Sequence, residues 1–374
     1  MGTFNPLRLT IARKRRRLSS KALADLIGSS PVTISRLENG YNEPEDQTLD
    51  ALAKALEFPR AFFTGGYCDE LKTEAASFRS LTAMSARERD AALSAGALAY
   101  LFSDWVAQRF NLPKPALPDS SFEANPEAAA HAVRQQWGLG QQPVSDMVKL
   151  LESKGVRVFS LSENTKNVDA FSCWRDSTPY VFLNTFKSTE HSRFDAAHEL
   201  GHLLLHKHGG PHQGHGDPDK GDGGTHNTRE AETEANRFAS CFLMPTEDVA
   251  SRVRGVTALD DLVKAKKRWG VSVAALAYRL NKMGRLTEWQ YRGFCIEMNR
   301  RGYRTQEPDT LPPERSVVWQ KVLSALWNER LTKEHIAAEL NLPAAELENL
   351  LFGLTGAPDL VSRQDKPALR LVKM

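Results

Sequence analysis

Three residues close together carry the strongest chemical signal in this chain. They are His198, Glu199 and His202, in the run Phe194-Asp195-Ala196-Ala197-His198-Glu199-Leu200-Gly201-His202-Leu203-Leu204-Leu205-His206. The apolar spacing predicts a helix. Residues four apart share a helix face, so His198 and His202 can aim imidazole nitrogens at one ion. Glu199 stands beside them, placed to take a proton from water acidified by a zinc ion. Ala196, Ala197, Leu200, Leu203 and Leu204 bury this helix, and polar groups buried among them need partners. Two core histidines satisfied by ordinary hydrogen bonds are the plainer alternative.

A catalytic zinc takes three protein ligands and keeps one position open. His208 stands where an H-E-x-x-H-x-x-G-x-x-H pattern puts its third histidine, but that pattern needs glycine where Leu205 stands. The better source is the later helix Glu230-Ala231-Glu232-Thr233-Glu234-Ala235-Asn236-Arg237-Phe238-Ala239. Ala231, Ala235, Phe238 and Phe242 form its apolar stripe. Glu232 and Asn236 lie one turn apart beside that stripe. Glu232 can reach the ion, and Asn236 can hydrogen-bond the other ring nitrogen of a ligand histidine and fix its orientation. Glu230 and Glu234 are rivals for the ligand role.

The runs AAHELGHLLLH and EAETEANRFASCFLMP resemble the ImmA/IrrE family of zinc metallo-endopeptidases. The resemblance covers about residues 130–310, from Trp137-Gly138-Leu139 to Glu307-Pro308. It implies a zincin-like domain with Zn2+ held by His198, His202 and Glu232 in a gluzincin-like set, Glu199 as catalytic base and Asn236 behind the ligands. It also implies a helix-turn-helix repressor as the protein substrate. Tyr180, Arg193 and His226 are candidates for stabilising the oxyanion. One departure is the Gly- and His-rich stretch from His208 to Thr228, read as a solvated loop.

A second kind of chemistry lies near the start. Leu23-Ala24-Asp25-Leu26-Ile27-Gly28-Ser29-Ser30 and Pro31-Val32-Thr33-Ile34-Ser35-Arg36-Leu37-Glu38-Asn39-Gly40 have the spacing of two short helices about a tight turn. Leu23, Leu26, Ile27, Ile34 and Leu37 are expected to pack inward. The segment resembles the XRE/Cro-like helix-turn-helix family over about 7–63. By that resemblance Pro31, Val32 and Arg36 face bases, with Thr33 and Ser35 on the same outer face, and Ser20 and Ser30 sit near phosphates of double-stranded DNA. Arg36 can contact guanine through two hydrogen bonds. Arg8, Arg13, Lys14, Arg15, Arg16, Arg17 and Lys21, with no acid among them, predict a polyanion-binding first helix. Domains of this kind pair to read two half-sites, so a homodimer is expected.

These sites need scaffolding. At 374 residues, 41% hydrophobic and 25% charged, the chain has enough apolar content for two or three domains. The expected class is α+β. A helical domain at 1–66 and a helical linker at 67–130, with prolines at 113, 115 and 118, precede the peptidase domain at 131–305. A helical segment and tail follow at 306–374. Strands are predicted at 156–161, 170–174 and 179–183, from β-branched and aromatic enrichment between turns. The C-terminal segment hints at a second helix-turn-helix, but Glu329, Glu334, Glu339, Glu346 and Glu348 would repel phosphate, so dimerisation or docking is expected of it. Four scattered cysteines read as reduced thiols, and no apolar run is long enough for a bilayer, so a cytoplasmic protein is expected.

The whole predicts a DNA-binding regulator with zinc-dependent endopeptidase activity that cleaves a helix-turn-helix repressor, a partner or itself, in stress, prophage or mobile-element control. Two alternatives remain. One is a transcription factor whose metal domain senses without cutting. The other is a component of a toxin–antitoxin system.

Overall fold

The computed structural model describes residues 3–73, 76, 85–119, 125–161, 170–206, 228–303 and 305–355. The loop from His208, with His212, His215 and His226, and the tail from Ala357 lie outside the described residues.

Four short helices come first: α1 (Pro6–Arg15), α2 (Ser20–Ile27), α3 (Pro31–Glu38) and α4 (Asp46–Leu56). Their ends are set locally. Ser19 and Ser30 each accept a backbone N–H at 3.1 Å, from Ala22 and Thr33. Pro31 takes a first-turn position where its missing N–H costs nothing. Gly28 closes α2 at φ 67°, a backbone conformation that favours glycine. Leu9, Leu23, Ile34, Leu37 and Leu52 fill the core between these helices. Leu26 does not join them and is 62% exposed. With Leu23, Ala24 and Ile27 turned inward, position 26 falls roughly 100° away around the helix.

The long helix α5 (Ala86–Ala107) lies in the stretch read as a linker, yet it is buried over Ala91–Tyr100 and belongs to the packed body. It covers one face of a three-stranded sheet made of β1 (Arg157–Ser160), β2 (Ala170–Arg175) and β3 (Thr178–Leu183), in the order β1-β3-β2. β3 runs parallel to β1 and antiparallel to β2, with Ser172 opposite Val181 and Cys173 opposite Tyr180. Strand alternation sends Phe159, Phe171, Cys173, Tyr180 and Phe182 towards α5, and Val158, Ala170, Val181 and Leu183 to the other face. Each fully buried Val, Leu or Phe among them contributes about 1.5–3 kcal/mol. The proline-rich connector after α5 is also packed. Ala116 donates its N–H to Lys154 O at 2.9 Å, and a side chain at Gly155 would collide with the Lys114–Pro115 backbone.

The second face of the sheet carries α8 (Thr189–Leu205), which follows β3, while α6 (Pro126–Gln136) and α7 (Met147–Ser153) lie between α5 and β1 in the chain. Against α8 lies α9 (Thr228–Leu243). Gly201 sets their spacing, since a Cβ there would stand 3.3 Å from Ala235 Cα and 3.2 Å from Phe238 Cδ1. Helices α10 (Thr246–Arg252), α11 (Leu259–Lys266), α12 (Val273–Lys282) and α13 (Glu288–Arg300) complete this layer.

The final helices are α14 (Val317–Asn328), α15 (Lys333–Glu339) and α16 (Ala344–Leu351), and they dock within the chain. Trp319 is buried and donates its indole N–H to Val158 O at 2.6 Å. Glu339 accepts from Trp105 Nε1 at 2.8 Å. Glu346, 2% exposed, receives Arg15 Nε at 2.6 Å and also pairs with Arg16.

These pairings correct the electrostatic expectation for α1. Arg8 is buried and donates to the carbonyls of Phe62 and Gly66. Arg13 makes a two-pronged contact with Glu38 at 2.7 and 2.9 Å. With Arg15 and Arg16 on Glu346, much of the basic cluster is committed to protein carboxylates and carbonyls rather than offered to phosphate.

Candidate metal centre

His198 and His202 lie on consecutive turns of α8, their Nε2 atoms 3.0 Å apart. Across the gap left by Gly201, Glu232 on α9 points its carboxylate at both, with Oε2 3.3 Å from His198 Nε2 and Oε1 3.3 Å from His202 Nε2. The three ligand atoms all lie within 4.8 Å of one another.

The hydrogen bonds behind the rings decide where their lone pairs point. His198 Nδ1 lies 3.1 Å from Asn236 Oδ1, an acceptor, so Nδ1 carries the proton and Nε2 the lone pair. His202 Nδ1 lies 3.0 Å from His206 Nδ1, and His206 Nε2 lies 2.9 Å from Glu234 Oε2. Glu234 accepts from His206 Nε2, which leaves His206 Nδ1 as an acceptor for the His202 Nδ1 proton. His202 therefore also turns a bare Nε2 inward. Two imidazole lone pairs and a carboxylate converge with no proton between them, an arrangement that suits a divalent cation. Atoms each about 2.0–2.1 Å from a tetrahedral zinc stand roughly 3.3 Å apart, close to the separations here. Burial pushes His202 down to about 3, which keeps its ring neutral.

Glu199 follows His198 on α8, with Oε2 accepting the Ser172 hydroxyl at 2.7 Å. It is 2% exposed.

On the helix-turn-helix side, Pro31, Val32, Ser35 and Arg36 are exposed along one side of α3. Thr33 is half-buried, its hydroxyl 2.9 Å from that of Ser30. Ser20 begins α2 and is half-buried, while the capping hydroxyl there belongs to Ser19. Residues 151–281 match the peptidase family described as the IrrE N-terminal-like domain, and residues 9–63 match the helix-turn-helix family. The chain has a helix-turn-helix plus ImmA/IrrE domain architecture. No curated protein matches the chain.

Within the ImmA/IrrE-type domain, two of the residues proposed for the oxyanion are placed elsewhere. Tyr180 lies on the α5 face of the sheet and donates its hydroxyl to Ser103 at 3.1 Å. Arg193 is a buried clamp. It donates to Val144 O at 2.7 Å and Gly270 O at 3.1 Å, and pairs with Glu314. Its face of α8 turns towards α7 and the loop before α12, away from the ion ligands. His226 and His208 lie outside the described residues.

Two residues near the centre escaped the sequence reading. Ser172 sits on a strand 27 residues from Glu199, and no local pattern links them. His206 was visible, one turn beyond His202, and its spacing to Glu234 through two helices could not be read from either helix alone.

Proposed function

We propose that this protein is a DNA-binding regulator whose ImmA/IrrE-type domain is a zinc endopeptidase, acting as a homodimer on a helix-turn-helix repressor. The convergence of His198 Nε2, His202 Nε2 and the Glu232 carboxylate beside Glu199 carries this reading. A bound zinc ion supplies Lewis acidity and lowers the pKa of water at the open position. Glu199 takes the proton of the attacking water at its carboxylate. It then delivers that proton to the peptide nitrogen, as the new C–O bond forms and the C–N bond breaks. Ser172 holds the Glu199 carboxylate in place. Asn236 and the His206–Glu234 pair hold the two imidazoles in the tautomer that presents Nε2. At the other end, Pro31, Val32 and Arg36 face bases, with Thr33 and Ser35 on the same outer face of α3, and Ser20 and Ser30 sit near the backbone phosphates.

A metal sensor without peptidase activity needs the three ligands but no base. The test is therefore Glu199→Gln, with metal content and DNA binding measured beside cleavage of helix-turn-helix repressors encoded by neighbouring genes. Retained zinc and DNA binding with lost cleavage supports the peptidase. If the wild-type protein and Glu199→Gln cleave to the same extent, the peptidase reading is wrong.

A further inference from the structure

Helix α13 is apolar on both of its sides. On one, Tyr291, Phe294, Cys295 and Met298 recur at helical spacing and pack into the core shared with α8, α9 and α12. On the other, Trp289 and Ile296 stand 84% and 71% exposed, and among the described residues no large apolar side chain is more exposed than Trp289. Trp289, Gly293, Ile296 and Arg300 follow one another at intervals of four, three and four, so they form one stripe along the helix. Gly293 leaves the middle of that stripe open, since a Cβ there would meet nothing within 4 Å. Single exposed apolar residues are ordinary on a protein surface. A tryptophan and an isoleucine aligned on a helix whose other side is anchored in the core make a presented face, and tryptophan is the residue most concentrated at the centres of interfaces.

Charge and symmetry say what this face fits. Its cations are answered within the helix. Arg292 lies 3.0 Å from Glu288 and Arg300 lies 2.7 Å from Glu297, which also holds Arg301 at 2.7 Å. Two acids and two bases cancel over Glu288–Arg300. The face therefore offers no net charge to a nucleic acid or an acidic partner, and a copy of itself can meet it without repulsion. It is also self-complementary. Trp289 and Ile296 lie equally far on either side of the midpoint between Arg292 and Gly293. A two-fold axis at that midpoint turns two α13 helices antiparallel and lays Trp289 of each copy on Ile296 of the other. Gly293 at the crossing lets the two axes close to roughly 8 Å.

We propose that α13 is the surface through which two copies of this chain pair, with Trp289 and Ile296 as the anchors. The proposal rests on the homodimer in the reading above and gives it a location. A tryptophan buries roughly 150–250 Å², so two copies of the stripe stay below the roughly 1,200–2,000 Å² of standard stable complexes. The pair is accordingly weak, dissociating in the micromolar range, and is completed where two half-sites of DNA hold two copies together.

Sedimentation equilibrium of the full-length protein without DNA, across the micromolar range, tests this. The wild type is expected to pass from monomer to dimer. Trp289→Asp and Ile296→Asp each remove a contact that the two-fold repeats, so each should weaken pairing by roughly 100-fold or more. Both side chains lie in solvent in the monomer, so the variants should melt like wild type by circular dichroism. Independently, Gly293→Cys in a Cys295→Ser background should be joined to a second copy by a short bismaleimide, and adding Trp289→Asp should abolish that product. Dimers that survive both aspartate substitutions, or that give no cross-link through Gly293→Cys, overturn the surface and leave the homodimer standing. Wild-type protein that stays monomeric throughout overturns the surface and the homodimer together. Cleavage is not read, so failure of the peptidase reading leaves the outcome untouched.

Discussion

Ser172 on β2 and Glu199 on α8 meet in a hydrogen bond of 2.7 Å that ties the sheet to the carboxylate beside the metal ligands. A buried carboxylate that loses such a donor is both less stable and less well aimed, and hydrogen bonds to charged groups contribute about 1.5–3 kcal/mol. Ser172→Ala should therefore lower kcat by roughly 10-fold or more while zinc content stays at the wild-type level, and Ser172→Thr should recover most of the rate. Loss of zinc in Ser172→Ala would show that the serine supports the whole centre rather than Glu199.

The ligand set predicts graded metal loss. Glu232→Ala should abolish stoichiometric zinc in the purified protein. Asn236→Ala and His206→Ala each remove a group that fixes an imidazole tautomer, and each should weaken zinc binding by about 10–100-fold. Competition with a chromogenic chelator reads all three. Equal affinities for Asn236→Ala and wild type would contradict the tautomer argument.

The two faces of the helix-turn-helix domain should separate in DNA binding. On a site selected from random DNA, Arg36→Ala should cost about 1–3 kcal/mol. Arg15→Ala should leave affinity and its salt dependence unchanged, because Arg15 is spent on Glu346. Glu346→Ala, which takes the carboxylate from both Arg15 and Arg16, should destabilise the fold by about 3 kcal/mol in denaturant, as expected when one partner of a buried ion pair is removed.

Stability should also report the group joining α7 to α14. Burial pushes the Glu152 carboxyl up to about 7, against hydrogen bonds from Ser316, Val318 and Val317. A carboxyl with a raised folded-state pKa binds more protons in the folded chain, so its contribution weakens as pH rises. Between about pH 4.5 and 7 wild-type stability should fall relative to Glu152→Gln by roughly 3 kcal/mol. Urea unfolding of both proteins at pH 5 and pH 8 measures it, and a pH-independent difference would refute the assignment.

Much of the scaffold was legible because it is local. Helical periodicity placed α8 and α9, and alternation with aromatic and β-branched enrichment placed β1, β2 and β3 within a residue or two. The same periodicity put His198 and His202 on one face and Glu232 and Asn236 on another, the groups whose polar atoms the structure brings together. Polar residue type misled where orientation mattered. Tyr180 and Arg193 carry suitable groups for an oxyanion, but strand alternation and the clamp on Gly270 turn them elsewhere. Likewise, a row of cations in α1 says nothing about which carboxylates will meet it.

By itself, then, the sequence determined which helices and strands form, where serine and glycine end them, and which ionisable groups share a helical turn, because those outcomes depend on neighbours within a few residues. Only the tertiary structure decided that Arg15 meets Glu346 across 331 residues, that α5 covers the sheet, that Ser172 holds Glu199 and that Ala76 lies on the edge of β2. Those contacts are chosen by the burial of apolar faces against one another, and many different pairings satisfy the same local pattern until the whole core closes.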